Sequence, residues 1–179
     1  MKLLLTFAVW MIACLPVFAQ KDDVPKDIAG SIGGTLKWTE SQFLSVAEAM
    51  PESKYDFVPT AGNFKDVRSF AEQVKHIAAS NYAIWSGITG DLFPKDFLGG
   101  NGPENVKTKA EILKFLKDSF ALGHKAASML TAENMLLPPG RSKSTRLRLA
   151  VFGVEHAYDH YGQMVEYLRM NGIVPPASR

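Results

Sequence analysis

The sequence predicts an all-α protein, a four-helix bundle, on three observations. Four stretches carry apolar residues at helical spacing, no stretch alternates convincingly like a strand, and the connections between the stretches are of mixed length. The chain has no glycine-rich phosphate loop, no Gly-x-Ser-x-Gly elbow and no internal repeat.

The first twenty residues, MKLLLTFAVWMIACLPVFAQ, are read as a secretory signal peptide over residues 1–19. Lys2 gives a basic start, Leu3 to Ile12 an apolar run, Pro16 a helix break, and Ala19 the expected cleavage point. The run is too short for a bilayer, which needs about 20 apolar residues, so no stable membrane span is expected. Cys14 follows Met11-Ile12-Ala13, an imperfect lipobox. Lipoprotein processing there is the less favoured reading, because it would leave Leu15-Pro16-Val17-Phe18 dangling. An exported protein, periplasmic or secreted, is therefore expected. Cleavage would remove the only cysteine, so any metal site in the mature chain must use nitrogen and oxygen donors. With 20 Lys and Arg against 18 Asp and Glu, the charge gives no reason to expect nucleic acid or an anionic membrane as a partner. The remaining length suits one domain rather than two.

Residues 20–27 are charged and proline-containing, and read as a linker. Helix 1 is expected from Ile28 to Met50, with Ile28, Ile32, Leu36, Phe43, Val46, Ala47 and Met50 on its buried side. Pro51 to Phe64 reads as an ordered loop, its Tyr55, Phe57 and Phe64 packing over one end. Asp66 or Ser69 caps helix 2, which runs to about Thr89 with Phe70, Val74, Ile77, Trp85 and Ile88 inward. It carries His76, whose same-face neighbours Glu72, Gln73, Ala79 and Ser80, with Ala83 beyond, leave room beside the ring.

Gly87 to Pro103 reads as a long connection crossing one end of the structure, able to shape a pocket mouth or to serve only as a crossover. Helix 3 is expected from Lys109 to Leu130 behind the cap Thr108, with Ile112, Leu113, Phe115, Leu116, Phe120 and Met129 inward. Its His124 sits beside Gly123 and Lys125, which suggest a surface position, and is left out of the site. Arg141, Lys143, Arg146 and Arg148 read as a solvated end, with an anion contact as the alternative.

Helix 4, Arg146 to Asn171, has an apolar stripe of Leu149, Phe152, Val154, Met164, Val165 and Leu168, and stops at Asn171-Gly172 before Pro175-Pro176. It holds His156 and His160. Four residues turn a helix by about 400°, so both rings lie on one face, one turn apart. That geometry suits two ligands of one metal, although the spacing also arises by chance on amphipathic helices. In a bundle, His76 is the natural third member.

The stretch HAYDHYGQMVEYLRMNGIVPP, from His156 to Pro176, resembles the closing helix of the DinB-like superfamily: two histidines four apart, Gly-Gln, Tyr-Leu-Arg and a Gly-x-x-Pro end. The histidine that the family places on helix 2 falls on His76 in FAEQVKHIAAS, and Tyr55, Asp56, Phe57 and Pro59 followed by Phe70 resemble its approach. The resemblance covers residues 28–176, with no departure at a ligand position. It implies a four-helix bundle of the DinB-like type in which His76, His156 and His160 bind a divalent metal cation, often zinc or nickel in relatives. It also implies a possible homodimer through bundle faces.

Three neutral imidazoles on zinc leave a position for water, whose pKa can then fall to about 7. The expected function is a metal-dependent hydrolase acting on a small-molecule substrate. The alternatives are a non-catalytic metal- or ligand-binding bundle, a thiol-dependent transferase as in some relatives, which export makes awkward, and a structural bundle with its histidines dispersed. Glu155 and Asp159 point to other parts of helix 4 than the histidines. They and Gln163 suit orienting a ligand ring better than moving protons, Tyr158 and Tyr161 suit packing equally well, and no catalytic acid or base is assigned.

Overall fold

The computed structural model describes residues 24–98 and 100–179. The expected signal peptide, Cys14 and the start of the linker lie outside the described residues. Four helices form the frame: α1 (Ile28–Ala49), α2 (Phe70–Thr89), α3 (Lys109–Ser128) and α4 (Arg146–Met170), and the described residues contain no strand. None of these helices is long and apolar enough to cross a membrane.

Each helix starts where a side chain replaces the backbone acceptor that its first turn lacks. Asp27 accepts from the Gly30 amide, and Thr145 from that of Arg148. Ser69 with Glu72, and Thr108 with Glu111, form reciprocal capping boxes. Of the two caps considered for α2 it is therefore Ser69 that serves, while Asp66 turns the preceding loop with a left-handed φ of 63°. Gly172, at φ 72°, lets the chain leave α4 while the Ile173 amide bonds back to the Leu168 carbonyl.

Sequence neighbours are not spatial neighbours. α1 packs on α3 and α4, α2 packs on α3 and α4, and the pairs α1/α2 and α3/α4 stand on the diagonals. Contacts of Glu40 with His124 and of Glu48 with Lys117 show α1 and α3 to be antiparallel. Asn81 on Ser119 and Asp91 on Lys125 show α2 and α3 to be parallel. Gln73 on Gln163 at one end, and Gly87 beside Leu149 at the other, make α2 and α4 antiparallel.

The parallel pair corrects the reading of the connection between α2 and α3. It does not cross one end. A helix of 20 residues is about 30 Å long, and the chain must return that distance to start α3 alongside α2. It does so against the flank of α2: Phe93 and Phe97 pack on Tyr82, Gly102 lies against Lys75, and the Gly100 carbonyl reaches His76. This return path is what brings loop residues to the histidines.

Leu36, Phe43, Phe70, Trp85, Phe120, Met164 and Leu168 are fully buried between the helices. At one end Tyr55 closes over this core, its hydroxyl donating to the Ala47 carbonyl, and Phe57 meets Tyr167 edge-on. Gly123 and Gly153 face the Trp85 ring, where a Cβ would stand 3.0 Å and 2.5 Å from indole atoms. Gly123 therefore marks a buried close approach, while its neighbour His124 is partly exposed, as expected. Two expected core residues are exposed: Met129, which lies just past the end of α3, and Phe152, which lies on the α4 face that carries the histidines.

Candidate metal centre

α2 contributes His76 and α4 contributes His156 and His160, and the antiparallel packing of the two helices brings the three rings together. Ring centroids are 5.2 Å apart for His76 and His156, 4.7 Å for His76 and His160, and 4.8 Å for His156 and His160. One nitrogen from each ring lies within 4.8 Å of the other two. Tetrahedral bonds of roughly 2.0–2.1 Å put ligand nitrogens about 3.3 Å apart, so small ring rotations would close the cluster on an ion.

Which nitrogens are free follows from the partners of the others. The His76 Nδ1 lies 2.5 Å from the Gly100 carbonyl, which can only accept, so Nδ1 carries the proton and Nε2 keeps its lone pair. The His160 Nδ1 lies 2.6 Å from Gln73 Oε1. The Gln73 Nε2 donates to Gln163 Oε1 at 2.9 Å, and Gln163 Nε2 donates to Asp159 Oδ2 at 3.2 Å. A carboxylate end that accepts fixes the direction of this chain. Each amide must present nitrogen toward Asp159 and oxygen toward His160, so the His160 Nδ1 is protonated and its Nε2 is free. His156 is steadied by packing against the Phe152 ring, centroids 5.6 Å apart.

Burial holds the rings neutral. It pushes His160 down to about 4, helped by the two neighbouring imidazoles, and lowers His76 and His156 below the usual histidine range. The Arg68 guanidinium acts in the same direction on all three. At neutral pH the cluster is three uncharged nitrogen donors, the form that binds borderline divalent ions. Zinc and nickel both fit this donor set.

The residues considered from sequence sort clearly. His124 is away from the cluster, its Nε2 2.7 Å from Glu40 Oε2 across the α1/α3 face. Tyr158 and Tyr161 meet edge-on, and the Tyr161 hydroxyl contacts Gln42 of α1, so Tyr161 packs α4 against α1. Glu155 borders a groove with Ile32 and Thr35 of α1. Asp159 does not point away from the pair as expected: its Oδ2 is 4.0 Å from the His160 Nε2. Together with Gln163 it orients that ring, but through Gln73.

Three neighbours were not read from the sequence as parts of the site. Gln73 is three residues before His76 and 2% exposed, and helical spacing alone could have marked it as a partner buried beside the ring. Gly100 and Arg68 belong to loops and gave no such signal. A hollow of about 300 Å³ lined by Ser144, Arg148, Leu149 and Phe152 adjoins the cluster through the Phe152 ring. It is large enough for a small molecule.

A family model described as the DinB superfamily matches residues 35–164, which include all three histidines. No curated protein gives a significant match.

Proposed function

The chain belongs to the DinB superfamily, and on that premise we propose that His76, His156 and His160 bind one divalent metal ion, zinc or nickel, in an exported hydrolase of small molecules. The observation that carries this reading is the set of free nitrogens. Two of the three rings have Nδ1 committed to an acceptor, which leaves the Nε2 lone pair unspent, and one nitrogen of each ring lies within 4.8 Å of the other two.

A divalent ion held there would supply Lewis acidity and would lower the pKa of a bound water to about 7. The chain's own residues do the rest. Gln73 and Gly100 hold two rings in the tautomer that keeps a lone pair at the centre. The Asp159 carboxylate, 4.0 Å from the His160 Nε2, anchors the Gln163–Gln73 chain that holds this ring, and no catalytic acid or base is assigned. Phe152 and the adjoining hollow give an apolar wall against which a small substrate can rest.

The test is metal content. Protein recovered after export and purified without a histidine tag should begin at Gln20 by intact mass and carry about one divalent ion per chain. His156→Ala should lose that ion while keeping its helical signature. Unaltered metal content in the variant would rule out the centre, and a negative hydrolase screen with metal-loaded protein would count against the hydrolase while leaving the metal site intact.

A further inference from the structure

We propose that Arg68 is a subsite for an oxyanion of the substrate, so that molecules handled at the histidine centre carry a carboxylate or phosphate group next to the bond that reacts. This rests on the metal-centre reading above and adds the substrate class to it.

Arg68 lies in the loop before α2, directly ahead of the cap Ser69. Its Nε donates to Asn101 Oδ1 at 2.8 Å, and Asn101 Nδ2 donates to Glu72 Oε1 at 3.0 Å. The other oxygen of Glu72 accepts from the Ser69 amide, and the Tyr167 hydroxyl donates to the Arg68 carbonyl at 2.9 Å. Backbone and side chain are thus both fixed, the first by α4 and the second by the return loop. Gly100 ties the guanidinium to the centre. Its carbonyl accepts from His76, and a methyl built on its Cα would stand 4.0 Å from Arg68 Nη2.

What this positioned cation lacks is an anion. Among the described residues, the ion pairs join lysines, histidines and Arg169 to carboxylates, and none includes Arg68. Glu72, the acid closest along this chain of bonds, is engaged by Asn101 and the helix cap. With Nε held by a neutral amide, the two Nη groups remain for end-on, two-point contact with an oxyanion. Although the Asp159 carboxylate lies 4.0 Å from the His160 Nε2, the half-buried Arg68 and a bound dication would be two sources of positive charge at the mouth of the site. Both charges favour the same ligand chemistry. Held by Arg68, an oxyanion would anchor the substrate while its reacting group faces the histidines.

Cobalt(II)-loaded protein titrated separately with acetate and with inorganic phosphate provides the test, read by calorimetry and by the visible bands of the metal. Unaltered protein should bind at least one probe, and the stronger one assigns the carboxylate or the phosphate. Arg68→Ala should weaken that binding by at least about tenfold, the loss expected for a charge-assisted pair, and Arg68→Lys should recover part of it. Both variants should still take up cobalt, Arg68→Lys with unchanged affinity and Arg68→Ala with equal or higher affinity, since Arg68 bonds to no histidine and its charge opposes a bound dication. Equal anion affinity in Arg68→Ala and unaltered protein, or no anion binding to the loaded protein, overturns the subsite and leaves the metal centre standing. Failure of unaltered protein to take up cobalt overturns both.

Discussion

Where α2 meets α4 near Trp85, the indole fills the space that Gly153 leaves, and every polar atom finds its partner inside the layer. Trp85 Nε1 donates to Asn81 Oδ1, Asn81 Nδ2 donates to Ser119 Oγ, and Ser119 returns its proton to the Leu116 carbonyl. A few turns away the same two helices meet through His76, His156 and His160. There two rings are only half-buried, and the hydrogen bonds around them leave nitrogen lone pairs unspent. The first layer is closed in both volume and hydrogen bonding, which makes it stabilising and chemically inert. The second gives up part of that closure and gains a place where a ligand can bind. On α2 nine residues, about 14 Å of helix, separate Trp85 from His76, whereas on α4 Gly153 stands only three residues before His156, so it is on α4 that the independence of the two layers is tested.

Trp85→Ala should show the largest effect. Removing a fully buried indole is expected to cost about 3–5 kcal/mol, a fall in Tm of roughly 10 °C, while metal content per folded chain stays unchanged. Thermal melts with elemental analysis on the folded fraction check it, and loss of metal in step with stability would mean the two layers are not independent.

Gln73→Leu cuts at the opposite layer. It removes the acceptor that fixes His160 and should weaken metal binding by about 10–100-fold, measured by competition with a chelator. An unchanged affinity would show that packing alone orients the ring.

The smallest effect is that of pH on metal-free protein. Folded His160 takes its proton near pH 4, whereas an unfolded histidine does so near 6.5. Between those values the unfolded state binds more protons. Stability is therefore full above about pH 6.5 and is lost as pH falls toward about 4. Melts across that window should drop by a few degrees, and His160→Asn should flatten the slope; a profile as steep in the variant would place the titrating group elsewhere.

Much of the frame was legible because its signals are local. Ser69 with Glu72 and Thr108 with Glu111 announce helix starts within four residues, and Gly172 before Pro175 announces a stop. His156 and His160 share a face by helical geometry alone. Other features misled for an equally physical reason. Gly123 gives no sign in sequence of the Trp85 ring packed against it, and Phe152 looks like core until its helix face is seen to open beside His156. A glycine or an apolar ring reports a size or a polarity, not which neighbour it meets.

The sequence by itself determined four amphipathic helices, the Thr108 cap of α3 with Ser69 as one of two candidates for α2, and a pair of histidines one turn apart, because each depends on residues a few positions from one another. Only the tertiary structure decided that α2 runs parallel to α3, that the returning loop therefore passes His76, and that Gln73 reaches Gln163 while Arg68 is held by Asn101. Those meetings join segments tens of residues apart. They are set by how whole helices pack and which way each one runs, and no spacing along the chain encodes that.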